Sequence, residues 1–131
     1  THIHLCQTLF RGYADDMPLM QWLRTRIWPL EAAHTPATLA AAADLAATEL
    51  LLSGTTAVLT METVHDTDVV CEAVARSGLR ATIGKCLMDA PAEGVPARLR
   101  EGTAAGLDAS TALHRRWHGA GNGRIRVAFA P

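Results

Sequence analysis

The chain has 131 residues, 49% of them hydrophobic, which is the size of one ordinary domain with enough apolar side chains for a core. Lys and Arg total 12 against 13 Asp and Glu, so the basic excess expected of a nucleic-acid partner is missing. Aromatic residues are only 5%, which leaves few platforms for stacking bases. Cys6, Cys71 and Cys86 are widely spaced and form no CxxC pair, so they read as buried reduced thiols of a cytoplasmic protein rather than a disulfide framework.

The sequence opens on THIH, which reads as the end of a strand. MPLMQWLRTRIWPLEAA follows as a short helix in a long connection, with Pro29 expected to end or kink it. Thr35-Pro36 is an N-cap followed by proline at the first helical position, and opens the helix TPATLAAAADLAATELLLSG. Leu39, Ala43, Ala46 and Leu50 share one face of that helix, and Gly54 lies just past its end. TTAVLTM (Thr55 to Met61) is a β-branched, apolar strand.

A second helix is expected from about Asp66-Thr67-Asp68 to Gly78, with the two aspartates as helix-start residues. The strand LRATIGKC (Leu79 to Cys86) follows. A third helix runs from about Pro96 to His118, weakened by Gly102 and Gly106, and the turn-like Gly121 to Gly123 leads into the strand RIRVAFA (Arg124 to Ala130). Strands alternating with helices call for a parallel sheet with helices packed outside it. A (β/α)8 barrel needs about 250 residues, so the fold class is α/β, the first half (about four strands) of a TIM barrel. Residues 1–131 are expected to be one partial barrel domain, truncated at both ends. No basic segment followed by an apolar one opens the sequence. The most apolar stretch, 39–52, is interrupted by Asp44 and Glu49 and is too short to span a bilayer. No membrane partner is therefore expected.

His2 and His4 stand at i and i+2 of the first strand, on one face, where both imidazoles can point into a barrel mouth and ligate zinc or iron. The spacing alone equally allows surface or hydrogen-bonded core histidines. Gln7 carries an amide that can both donate and accept, or it is a solvated loop residue. Glu31 is a carboxylate near a helix end, where it does not help the helix dipole. Lys85 ends the third strand among Ile83, Cys86 and Leu87, and needs a partner or a route to water. Glu62 and His65, after the second strand, either line the mouth or form a solvated rim; His114 and His118 read as a solvated helix end, and Trp22, Trp28 and Trp117 as packing.

HIHLCQTLFRGYADDMPLMQWLRTRIWPLEAAHTP contains Q-T-L-F-R-G after the second histidine, the pair Asp15-Asp16, Trp22-Leu23 and W-P-L-E at Trp28 to Glu31. With ELLLSGTTAVLTME and GLRATIGKCLMD further on, the chain resembles the amidohydrolase superfamily over essentially its whole length. The branch is that of cytosine deaminase-like enzymes: S-adenosylhomocysteine and adenosine-type deaminases, guanine deaminases and triazine hydrolases.

The resemblance implies a metal-dependent barrel with one divalent metal ion, zinc first and iron second, held in part by His2 and His4. The other ligands, two histidines and an aspartate after later strands, and the general acid/base glutamate would lie beyond Pro131. The resemblance further implies that Gln7 reads a heterocycle edge, that Glu31 meets ribose hydroxyls, and that Lys85 holds a substrate tail. The partner is then a small heterocyclic substrate, with no nucleic acid, and the full-length protein a homo-oligomer.

The first functional reading is hydrolysis of a C–N bond on a purine nucleoside-like ring by a metal-activated water. Triazine chloro- or aminohydrolysis and guanine deamination are the alternatives. A non-catalytic half-barrel remnant is the reading from a different class, and residues 1–131 alone are expected to be inactive.

Overall fold

A computed structural model describes residues 1–13, 15–90 and 93–131. Its centre is a sheet of four parallel strands in the order β1 (His2–Ile3), β2 (Ala57–Glu62), β3 (Arg80–Cys86) and β4 (Ile125–Ala130). The helices lying between them are α1 (Leu19–Trp22), α2 (Trp28–Ala33), α3 (Pro36–Leu52), α4 (Thr67–Ser77) and α5 (Thr103–Trp117).

The register fixes which residues share a face. Ile3, Thr60, Ile83 and Val127 line up across the sheet, and so do His2, Leu59, Thr82 and Arg126 on the opposite face. The first row joins the core, where Val58, Ala81, Ile83 and Ile125 pack with Leu39, Ala43 and Ala46 of α3 and with Val70, Ala73 and Val74 of α4. On the second face Leu59 is 51% exposed. Among the described residues, helices therefore cover one face of the sheet, as in a barrel wall whose inner face turns toward an axis. No helix among the described residues is long and apolar enough to cross a membrane.

Local chemistry accounts for most boundaries. Thr35 accepts from the Thr38 amide and Thr38 returns a bond to the Thr35 amide, a reciprocal cap on α3 next to Pro36. Gly78 closes α4 in the left-handed region, at φ 78°, where a side chain would be strained. Asp66 stands at the α4 N-cap with φ 60°, but its side chain makes no capping bond.

Two boundaries depart from the sequence reading and a third decides between its alternatives. Of the two outcomes expected at Pro29, a helix end is not found: a π-helical stretch, Leu23–Ile27, joins α1 to α2 and proline falls at the start of α2, so the helix runs on through a local distortion. A widened turn accommodates a ring that can neither donate to the preceding turn nor fit a regular one. The helix expected from about Pro96 begins only at Thr103, after a 3-10 turn, Ala97–Leu99, with Gly102 outside it as N-cap. β1 comprises only two residues, and His4 follows it in extended conformation before a 3-10 turn, Leu5–Phe10.

Gly84 is required by close approach. A β-carbon at this position would lie 2.6 Å from the Ala130 Cβ across β3 and β4. Gly84→Ala is expected to destabilise the protein by about 1–3 kcal/mol in urea unfolding, and the added Ala130→Gly change to restore most of the loss. Equal stabilities for the single variant and the wild type would contradict the contact.

Candidate metal centre and adjoining cavity

His2 and His4 converge. Their Nε2 atoms are 3.3 Å apart and the rings meet edge to face with centroids 4.9 Å apart. His4 Nδ1 lies 2.7 Å from the Met61 carbonyl oxygen. A carbonyl only accepts, so Nδ1 carries the proton and Nε2 presents its lone pair toward His2. A backbone carbonyl behind the ring is a common way to orient a metal-ligating histidine. Two nitrogens at about 2.0–2.1 Å from one tetrahedral ion are separated by about 3.3–3.4 Å, which the pair already matches. The donor set fits as two ligands of a larger set; among the described residues no cluster of three or more His, Cys, Asp or Glu could hold a metal. Burial and the neighbouring His2 lower the His4 pKa against the opposing Met61 bond, which favours the neutral, ligating form.

The 3-10 turn that follows His4 is braced from two sides. Glu62, at the end of β2, accepts from the Leu5 amide through Oε1 and from the Cys6 amide through Oε2, each at 3.0 Å. The Thr60 hydroxyl also donates to Oε1. His34 Nε2 donates to the Cys6 carbonyl at 2.9 Å, and its ring stacks on Phe10. Sequence reading missed both roles. Glu62 is only 2% exposed and borders the cavity beyond this turn, so of its two expected places it takes the one at the mouth and not a solvated rim. Burial pushes its carboxyl up to about 7, while the Thr60 hydroxyl, the Leu5 and Cys6 amides and the Cys6 thiol pull it down.

Past this turn the chain reaches a cavity of about 330 Å3 lined by His4, Gln7, Glu31, Trp22, Met61 and Cys86, among others. Gln7 Nε2 donates to Glu31 Oε1 at 2.8 Å, so two of the residues singled out in the sequence touch each other beside a third. Burial raises the Glu31 pKa, opposed by Gln7, His34 and Cys6. Trp28, Val64, Val95 and Leu99 form a second small core, with Leu23 and Met88 packed on it, which anchors the helix carrying Glu31 to the loops after β2 and β3. Trp117 packs on the main core and Trp28 in the second one, while Trp22 and one side of Trp28 line the cavity. The Trp22 indole could not be assigned that place from spacing, because the π-helical stretch shifts the helix phase.

Lys85 is not brought to this group. It aligns with Glu62 and Phe129, on the helix-facing side of the sheet, and lines a different cavity with Glu101. Its ammonium donates to Glu101 Oε1 at 2.5 Å and to the Cys86 carbonyl at 3.0 Å, with both side chains buried. The partner required by a buried lysine is thus internal. His65 is exposed, with Nε2 donating to the Arg98 carbonyl, and His114 stacks on His118 beside the end of α5.

Two outcomes follow from these burials. Glu101→Ala leaves Lys85 charged without a counter-ion, and is expected to cost about 3–5 kcal/mol of unfolding free energy; the Lys85→Met, Glu101→Leu double variant should cost far less. Burial, with Asp68 nearby, pushes the Cys71 thiol up to about 12; burial, with Glu31 nearby, pushes Cys86 up to about 11. At pH 8 both should alkylate with iodoacetamide roughly 100-fold or more slowly than a free thiol, read by mass spectrometry. Rapid labelling of Cys86 in the folded protein would contradict this.

The chain is 40% identical over 130 residues to the 5-methylthioadenosine/S-adenosylhomocysteine deaminase of Desulforudis audaxviator, and 39% identical over 131 residues to that of Natronomonas pharaonis. These matches cover 99% and 100% of the chain, but it spans only 28% of either relative. Among solved structures, E. coli guanine deaminase superimposes with a TM-score of 0.87 at 31% identity, over 99% of this chain and 29% of that one. The guanine deaminase of C. acetobutylicum, solved with guanine bound, gives a TM-score of 0.90 at 24% identity over 99% and 31%, a likeness of fold. The sequence profile of the Amidohydrolase family matches residues 1–131 throughout, and the chain belongs to that family.

Proposed function

We propose that this chain supplies the first metal ligands and part of the substrate cavity of a hydrolytic deaminase acting on a purine nucleoside-like ring. The observation that carries the proposal is the convergence of the His2 and His4 Nε2 atoms at the edge of a cavity that also holds Gln7 and Glu31. The 5-methylthioadenosine/S-adenosylhomocysteine deaminases at 35–41% identity support the nucleoside class.

A divalent ion, zinc in the first instance, supplies Lewis acidity that makes water a nucleophile near neutral pH. The chain's own residues do the rest of what can be assigned to it. His4 is locked by Met61 with Nε2 forward, and His2 meets it from the same face. Gln7 commits one N–H to Glu31 and keeps its amide oxygen for a ring N–H. Among the described residues Glu31 Oε2 carries no hydrogen bond, which leaves a carboxylate oxygen for a ligand hydroxyl. Trp22 and Met61 line the cavity with apolar surface suited to a flat heterocycle. Lys85, turned toward Glu101, has no part in this arrangement.

The likeness to E. coli guanine deaminase supports a second reading, deamination of a free base. Glu31 separates the two. In the complete gene product containing residues 1–131, Glu31→Gln is expected to raise KM for a nucleoside about 10-fold or more with little change in kcat, because a charged hydrogen bond to a hydroxyl is lost. Ammonia release from 5-methylthioadenosine, S-adenosylhomocysteine and guanine measures it. An unchanged KM for nucleosides, with guanine the better substrate, would favour the free-base reading. Loss of bound metal in His2→Ala and His4→Ala, read by elemental analysis, is expected under both readings, and its retention would overturn both.

A further inference from the structure

Glu62 is a buried carboxylate with no cationic partner among the described residues, and the reading above gives it no role. Its position is nonetheless specific. The 3-10 turn Leu5–Phe10 begins with amide groups that have no partner inside the turn, and its N-cap, His4, offers no side-chain cap. Glu62 supplies the cap from another strand, one carboxylate oxygen to each of the Leu5 and Cys6 amides. The preceding residue, Met61, holds the His4 ring through its carbonyl. Two consecutive residues of β2 thus grip three consecutive residues of the chain as it leaves β1. The Thr60 hydroxyl, donating to the same carboxylate, fixes the grip from within β2.

We infer that Glu62 is a positioning residue for the metal centre: its carboxylate, bound to the Leu5 and Cys6 amides, sets the path of the chain that presents the His4 Nε2 on one side and Gln7 on the other. The inference rests on the proposed metal-binding role of His2 and His4. A carboxylate has two acceptor oxygens and no donor, which suits two facing amides. An amide side chain keeps one acceptor and sets its own N–H groups against the second amide; an aliphatic one leaves both amides unpaired in a buried site. Freed of the grip, the turn can shift and the bond from His4 Nδ1 to Met61 lengthens or breaks, so the ring loses its fixed tautomer.

The test uses Glu62→Gln and Glu62→Leu in the complete gene product containing residues 1–131, with two readouts. The first is the 15N shift of the His4 ring in metal-free protein, which reports whether Nδ1 or Nε2 carries the proton. The second is the zinc dissociation constant from competition with a chromophoric chelator. Wild type should show His4 protonated on Nδ1. Glu62→Leu should show a mixture of tautomers and bind zinc about 10- to 100-fold more weakly, with Glu62→Gln in between. Val70→Ala, a truncation in the main core that removes none of the hydrogen bonds around Glu62, controls for lost stability and should leave both readouts at the wild-type values. Should Glu62→Leu fail to fold, Glu62→Gln carries the test. Wild-type tautomer and wild-type zinc affinity in folded Glu62→Gln or Glu62→Leu would overturn the inference, as would an equal change in Val70→Ala. If the wild type binds no zinc, the metal-binding reading fails, while the ring shifts still decide whether Glu62 sets the His4 tautomer.

Discussion

The arrangement depends on how the end of one strand holds the exit of its neighbour. β1 is two residues long and hydrogen-bonds β2 over only that span. Yet the chain beyond it carries His4, Gln7 and the turn between them. What keeps this segment in place is polar and local: the Met61 carbonyl on the His4 ring, the Glu62 carboxylate on the Leu5 and Cys6 amides, and His34 on the Cys6 carbonyl. Leu5 and Cys6 themselves are buried, so an unmade bond at either would leave a polar group without water.

The two faces of the sheet divide the labour. Residues of one parity pack against α3, α4 and α5 and give the wall its stability. Residues of the other parity, starting with His2, face away from those helices. Glu62 and Lys85 both belong to the helix-facing parity and both are buried acids or bases at strand ends, but they resolve burial differently. Lys85 is neutralised by Glu101, whereas Glu62 is surrounded by hydrogen-bond donors. The first is an internal ion pair, the second a brace for the neighbouring strand.

Much of this was legible in the sequence. Alternation of apolar strands with capped helices gave a parallel α/β sheet, and Thr35-Pro36 and Gly78 marked helix ends because their side-chain and backbone chemistry is local. The HxH spacing placed two imidazoles on one side, since period two is a property of any extended chain. Gln7 and Glu31 stand out by their side-chain chemistry and by the family resemblance, and the structure brings them into contact. The unread parts are those decided by tertiary context. The parity of Lys85 depends on which face the helices take. Glu62 looked like a loop carboxylate because its partners are main-chain amides some 56 residues earlier. The π-helical stretch before Pro29 has no simple signature, so the choice between a helix end and a distorted continuation there, and the place of Trp22, are not visible in the sequence.

The most direct measurement is anomalous X-ray diffraction at the zinc edge from zinc-loaded crystals of the complete gene product containing residues 1–131. The account predicts a peak at about 2.0–2.1 Å from the Nε2 atoms of both His2 and His4, with His4 Nδ1 still bonded to the Met61 carbonyl. A peak away from this pair, or a metal held through His4 Nδ1, would contradict it.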